Sequence, residues 1–434
     1  MVFVPIDQFL KGDSLKYVLN HCDCEYLILD AEFLDSFKEI RAALSRIKKV
    51  LLRNPPTTFI FDEFYVNFTG IISNNTDNPQ IPIEPNDVME ILYTEGTTGK
   101  PKGVIYRNLK VIAGLIISAG LGSGRYGQVK LIYCPTPLYQ SFAQLDIIFP
   151  TMFLNTSIAI TEKFDATIFW DDVRRYKTDL IIYYGGILQT LFNQPPRDND
   201  RDQPARWAIG GEAPRHIWEN FENRFGITLI EGWGATEAPG PIINRLGSRD
   251  GKMGSIGIPL DGYEVKIVDE DGNALPPGPQ HIGEMAIKTF TPNVLEYYKE
   301  PESTPMIRGK DGFVYTGDMV YRDKDGYLYY TGRKADIIKR LGGSIPAHMI
   351  ENVANAHPFI LESVVFGVPG NKSSGDDLKI CVVLKNTRMA STLTPAQFYE
   401  YLQENLANFM VPRYIEFQPM LRTSSERIKK YLLR

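Results

Sequence analysis

Along much of the chain, short runs of β-branched and aromatic residues alternate with amphipathic stretches. The runs at residues 26–29, 130–134, 180–184 and 228–230 read as strands. The stretches at 171–175, 216–225 and 396–408 carry a helical period. Strand–helix alternation of this kind predicts an α/β architecture with largely parallel sheets. Between residues 256 and 328 the texture changes. Residues 263–268, 283–288 and 326–330 read as short strands, with turn clusters at 269–272 and 275–278. No helical period fits across them, which predicts a small antiparallel β-barrel or sheet. A second boundary falls near Gly332. The remainder reads as a compact α+β unit, with a helix at 347–356, strands at 362–368 and 378–384, and the helix from 396. We therefore expect two domains, 1–331 and 332–434, with a hinge at 331–336. No solenoid-period repeat or low-complexity tract interrupts them.

Composition narrows the class. The chain has 434 residues, enough for a large core without covalent staples. Its formal charge of −5 gives no global basic field, so nucleic acid is not an expected partner. The four cysteines, Cys22, Cys24, Cys134 and Cys381, are too few for a disulfide framework. The N-terminal residues lack the charged and apolar regions of a signal peptide. The most apolar stretch, 111–122, is shorter than the roughly 20 residues a bilayer span needs. A cytoplasmic location without a membrane span is expected; oligomeric state is open.

The strongest chemical signal is residues 93–103, Tyr-Thr-Glu-Gly-Thr-Thr-Gly-Lys-Pro-Lys-Gly, after a strand-like run at 88–93. Gly96, Gly99 and Gly103 free the backbone to turn N–H groups toward an anion. Two threonines, Thr97 and Thr98, add hydroxyls, and Lys100 and Lys102 add positive charge. The set suits a polyphosphate. It is not a Walker-type loop, because Gly96 and Gly99 are too close and no Ser or Thr follows Lys100.

This loop resembles the signature of the AMP-forming, acyl-adenylate superfamily, which includes acyl-CoA synthetases, aryl-CoA ligases, luciferases and peptide-synthetase adenylation domains. Further segments follow in the right order. Gly-Gly-Glu-Ala-Pro at 210–214 is similar to the family's adenine-side segment. Gly-Trp-Gly-Ala-Thr-Glu at 232–237 is similar to its aromatic–Gly–x–Thr–Glu motif. Tyr-Thr-Gly-Asp at 315–318 resembles its ribose segment, and 332–339 resembles its hinge. The resemblance runs from Val4 to Arg434, and the C-terminal third looks most like carnitine/crotonobetaine-CoA ligases and their fatty-acyl neighbours.

The resemblance implies an acyl-adenylate-forming fold with a small C-terminal lid. It implies a two-step reaction: a carboxylic acid and ATP give acyl-AMP, and a thiol, usually coenzyme A, then displaces AMP. It implies ATP and Mg²⁺ as cofactors. Within it, Gly96, Thr97, Thr98, Gly99 and Lys102 would hold phosphates with Thr94 at the loop's start. Gly211, Glu212 and Ala213 would line the adenine pocket, with Trp233 on the adenine face and Gly234 beside it. Thr236 would bond the α-phosphate and Glu237 would carry the metal. Asp318 would accept from the ribose hydroxyls, and Arg333 would reach ribose or phosphate. Gly342 and Gly343 would let a pantetheine arm pass, although a simple turn explains them equally. Tyr139, Gln140, Tyr184 and Gly185 are acyl-pocket candidates. Core packing accounts for Tyr184 almost as well.

Three departures from the family pattern stand out. The first residues resemble a strand well inside the family's N-terminal domain, so a shortened start and a bared sheet edge are expected. Arg427 takes the position of the catalytic lysine; it keeps the charge but is not an isosteric substitute. Ala335 holds the hinge position, and Glu95 stands where a small residue is usual. Two motifs are set aside. Residues 122–127 fit a dinucleotide-loop pattern but precede a strand-like run instead of a helix. His21-Cys-Asp-Cys24 lacks a second ligand pair for zinc and reads as structural. A non-catalytic nucleotide-binding relative and a carrier-protein-loading enzyme are the rival readings. No appended carrier domain is seen, which favours free coenzyme A.

Overall fold

The computed structural model describes residues 1–94, 100–110, 129–244, 252–289, 296–300, 309, 311–340, 343–370, 375–385, 390–420, 428, 430 and 433. A large N-terminal α/β domain is followed by a small C-terminal one. The former opens with a three-stranded parallel sheet, Tyr26–Asp30, Lys49–Arg53 and Tyr65–Asn67. In its middle strand Val50 and Leu52 are fully buried while Lys49 and Arg53 face out, the two-residue period of a half-buried strand. Helices Gly12–His21 and Leu34–Ile40 close this core with Leu19, Leu34, Phe37 and Ile40.

The central sheet has seven strands. Ser157–Ile160, Leu131–Cys134, Leu180–Tyr184, Trp207–Gly211 and Thr228–Ala235 lie side by side and run parallel. Ala238–Ile243 and Ile258–Pro259 extend the sheet antiparallel. The strand Leu180–Tyr184 is buried along nearly its whole length, as a parallel strand covered on both faces should be. Helices Phe169–Tyr176 and Trp218–Phe225 pack there through aromatic residues, with Trp170 stacked on Phe225 at 4.4 Å between ring centroids. The second of these helices ends at Gly226, whose φ of 69° is the left-handed conformation that glycine adopts freely.

The stretch predicted to be antiparallel forms a four-stranded sheet, Tyr263–Val268, Gly283–Thr289, Val314–Arg322 and Leu328–Arg333. Its last strand begins two residues later than the alternation suggested, because Gly326 at φ 89° belongs to the preceding turn. A separate hairpin pairs Val88–Tyr93 with Gly103–Arg107, the strands that flank the loop expected to hold phosphate. The C-terminal domain packs helices Ala347–Asn355 and Pro395–Asn405 on a sheet of Ile360–Val368, Asp377–Leu384 and Tyr414–Phe417. Thr394 and Gln397 form a reciprocal cap at the start of Pro395–Asn405. Among the described residues, no helix is long and apolar enough to cross a membrane.

Candidate functional site: a crevice where three sheets meet

The parallel strands Leu180–Tyr184 and Trp207–Gly211 end side by side, with Tyr184 opposite Gly211. In open α/β sheets the space beyond the carboxyl ends of such strands is where ligands bind. Two glycines make the approach possible. A Cβ on Gly210 would lie 2.0 Å from the Tyr183 carbonyl oxygen, and one on Gly185 would lie 1.7 Å from that of Glu212. Glu212 itself sits at φ 66°, a conformation non-glycine residues seldom take.

Behind this segment lies a buried carboxyl. Glu231 accepts from the Tyr183 hydroxyl at 2.7 Å, and the Ala213 N–H reaches its oxygens at 3.2 Å. Both bonds favour the ionised form. Burial outweighs them and pushes the carboxyl up to about 8. Glu231 thus holds the backbone at 212–213.

On the far side of the crevice Asp318 is almost fully buried. It stands opposite Arg333 in the four-stranded sheet, next to a register irregularity. Arg333 Nε lies 2.8 Å from Asp318 Oδ1, and the Trp233 indole N–H donates to Oδ2 at 2.8 Å. The corner is braced locally. The Asp318 N–H donates to Thr316 Oγ1 at 3.1 Å, and the Gly317 N–H donates to Glu284 at 3.1 Å.

Thr236 and Glu237 form the two-residue turn between Thr228–Ala235 and Ala238–Ile243, since Ala235 pairs with Ala238. A tight hairpin of this kind projects its turn residues beyond the sheet edge. Exposed Gly234 lies at the irregularity just before it. The Tyr106 hydroxyl donates to the Thr236 carbonyl, and Ser141 Oγ donates to Thr236 Oγ1 at 3.4 Å. Tyr297 donates from its hydroxyl to Glu237 Oε1 at 2.7 Å. Thr94 and Lys102 close the neck of the phosphate-loop segment: the Thr94 N–H donates to the Lys102 carbonyl at 2.9 Å, and the Lys102 N–H to Thr94 Oγ1 at 3.2 Å. The Lys102 ammonium lies 3.6 Å from Glu300 and 4.8 Å from the centroid of the Tyr297 ring.

Two family models match the chain: "AMP-binding enzyme" over residues 1–298 and "AMP-binding enzyme C-terminal domain" over 349–426. The chain belongs to the AMP-binding enzymes. A crotonobetaine/carnitine–CoA ligase from Salmonella agona (strain SL483) is 30% identical over 99% of this chain and 83% of its own length. Of the solved structures, ATP-bound MatB from Rhodopseudomonas palustris superposes with a TM-score of 0.84 at 25% identity, covering 100% of this chain and 83% of that one. Apo MatB from the same organism, at 24% identity and the same coverage, superposes at 0.68.

The sites expected from sequence fall in separate places. Gly211, Glu212, Ala213, Trp233, Gly234, Asp318 and Arg333 gather around the crevice, and Thr94, Lys102, Thr236 and Glu237 gather at its phosphate-loop end. Tyr139 and Gln140 lie half-buried in the turn before the helical stretch Phe142–Ile148, and Phe142 packs on Tyr184 at 5.2 Å between centroids. Gly185 begins the helix that follows Tyr184. Gly343 lies in the C-terminal hairpin, paired with Arg340. Gly96, Thr97, Thr98, Gly99, Gly342 and Arg427 fall outside the described residues, as do Glu95 and the glycine-rich string at 122–127. The His21-Cys-Asp-Cys24 segment is engaged in packing: His21 Nδ1 lies 2.7 Å from the Tyr93 hydroxyl, and Asp23 pairs with Lys299 at 2.7 Å. Sequence reasoning missed Glu231 and Tyr297. A glutamate inside an apolar strand was a readable signal for the first; nothing local marked the second.

Proposed function

We propose that this AMP-binding enzyme activates a small carboxylic acid with ATP, giving acyl-AMP and pyrophosphate, and transfers the acyl group to the thiol of coenzyme A. The observation that carries the reading is the triad of Trp233, Asp318 and Arg333 on one wall of the crevice, with Lys102, Thr236 and Glu237 at one end. A buried carboxylate already held by two donors suits the two hydroxyls of a ribose. A half-buried indole suits the flat adenine ring. Lys102 and the Thr236 hydroxyl would stabilise phosphate oxygens as charge shifts onto pyrophosphate, and a fixed crevice would align the acid for in-line attack.

The donor set is compatible with Mg²⁺. The described residues include no cluster of three or more His, Cys, Asp or Glu side chains that could hold a metal. A magnesium carried on nucleotide phosphates retains most of its waters and needs only one or two protein carboxylates, a role Glu237 fits. Bound there, the ion would neutralise phosphate charge. The acid would enter beside Tyr139, Gln140, Tyr184 and Gly185. The carnitine-type relative supports an aliphatic or carnitine-like acid. Arg427 would take the lysine's role in the first step, and Gly342 and Gly343 would border the thiol's path in the second. The test is acid-dependent ATP–pyrophosphate exchange with a panel of aliphatic, aryl and betaine-type acids. Exchange with one acid class is expected; none with any acid, in folded protein that binds ATP, overturns the reading.

A further inference from the structure

We propose that Tyr297 is a positioning residue that aims the Glu237 carboxylate at the metal-bound phosphates, an inference that rests on the functional reading above. Tyr297 belongs to a short segment, 296–300, that adds to the edge of the Val88–Tyr93/Gly103–Arg107 hairpin. It bridges Val104, while the Ile105 N–H donates to the Glu296 carbonyl at 2.9 Å and the Tyr298 N–H to the Gly103 carbonyl at 2.8 Å. Side chains anchor the segment at both ends. Arg107 pairs with Glu296, and Asp23 accepts from the Tyr298 hydroxyl at 2.9 Å and from Lys299 at 2.7 Å. The Tyr297 ring is buried among Leu92, Val104, Tyr106, Leu145 and Val314. Its reach is therefore set by backbone and packing, and its hydroxyl arrives 2.7 Å from Glu237 Oε1.

That single bond has a directional effect. A carboxylate on a hairpin turn has rotational freedom about its side-chain bonds. A hydroxyl donated to one oxygen removes much of it and leaves the other oxygen's direction defined. The same ring lies 4.8 Å from the Lys102 ammonium, so one rigid side chain spaces the cation and the anion at the phosphate end. Groups that orient a metal-binding carboxylate typically alter metal affinity 10–100-fold when removed.

The test uses the full chain and Mn²⁺ as a paramagnetic substitute for Mg²⁺, with binding read by electron paramagnetic resonance in the presence of ATP. Tyr297→Phe keeps the ring and its packing and loses only the hydroxyl. The expected result is about tenfold weaker Mn²⁺ binding with ATP affinity in excess chelator unchanged. Tyr297→Leu, which also removes the ring beside Lys102, is expected to weaken ATP binding in chelator as well. Unchanged Mn²⁺ affinity in Tyr297→Phe overturns the proposal. So does a loss of metal-free ATP binding in that variant equal to its loss with metal, which would mark a general packing role. If wild-type protein exchanges pyrophosphate with no acid, the functional reading falls, while the Mn²⁺ titration still decides the role of Tyr297.

Discussion

Trp233 and Asp318 belong to different sheets, and a 2.8 Å hydrogen bond from the indole N–H to the carboxylate joins them on one wall of the crevice. The bond ties the central sheet to the four-stranded antiparallel sheet at the point where the nucleotide is proposed to lie. Asp318 is also held by Arg333, which is about half exposed and so retains water as an alternative partner. Asp318→Asn keeps the shape and removes the charge that both donors serve. The expected outcome is at least tenfold weaker AMP binding, measured by calorimetry, in a protein whose Tm falls by only a few degrees.

Glu231 supplies a pH signature. Its folded-state value of about 8 lies above the ordinary glutamate value of 4.5, so between these limits the folded protein holds a proton that the unfolded chain has released. Its contribution to stability is complete below the unfolded value and declines as pH rises toward 8. The groups facing it are the Tyr183 hydroxyl and the Glu212 carboxylate, and neither supplies a positive charge. Glu231→Gln keeps a hydrogen-bonding side chain without the titration. Its Tm should fall less than that of wild type between pH 5 and 8.5, a difference that thermal scans at fixed ionic strength would detect. Parallel curves would refute the assignment.

Gly185→Ala is expected to be severe. The added carbon would lie 1.7 Å from the Glu212 carbonyl oxygen, and backbone must move to admit it. Because Glu212 already occupies a left-handed conformation, the 211–213 segment is the part expected to shift. Nucleotide binding should be lost or cut by more than tenfold, read by the same calorimetry. A variant that binds AMP normally would place the adenine elsewhere.

Arg427→Ala should separate the two half-reactions. Acyl-AMP formation, followed by pyrophosphate release, should slow markedly. Thioester formation from supplied acyl-AMP and coenzyme A should persist. Equal loss in both would remove Arg427 from the first step.

Much of this architecture was readable in advance because burial on both faces leaves an uninterrupted apolar run, as at Leu180–Tyr184. The small antiparallel sheet was readable from its turn clusters. Errors fell at the ends of elements. The helix expected at 216–225 begins at Trp218, after a turn that follows Pro214, and that expected at 396–408 ends at Asn405, where Leu406 turns extended. The strand expected at 228–230 runs on to Ala235 because Ala238–Ile243 folds back to pair with it. Motif residues were legible because their chemistry is written locally. Their supports were not. Tyr297 acts on a residue sixty positions away and Tyr183 on one forty-eight away, and no period or spacing in the chain encodes such pairings.

The pairing of residue 297 with residue 104 also has a consequence for how the protein is made. The hairpin of Val88–Tyr93 and Gly103–Arg107 emerges early in synthesis, but the segment that bridges its edge does not exist until the whole central sheet has been translated. Closing so long a loop is entropically costly and is postponed until intervening contacts have shortened it. The segment 296–300 is therefore a late addition to that hairpin, and a nascent chain stalled before residue 297 would carry the hairpin without it.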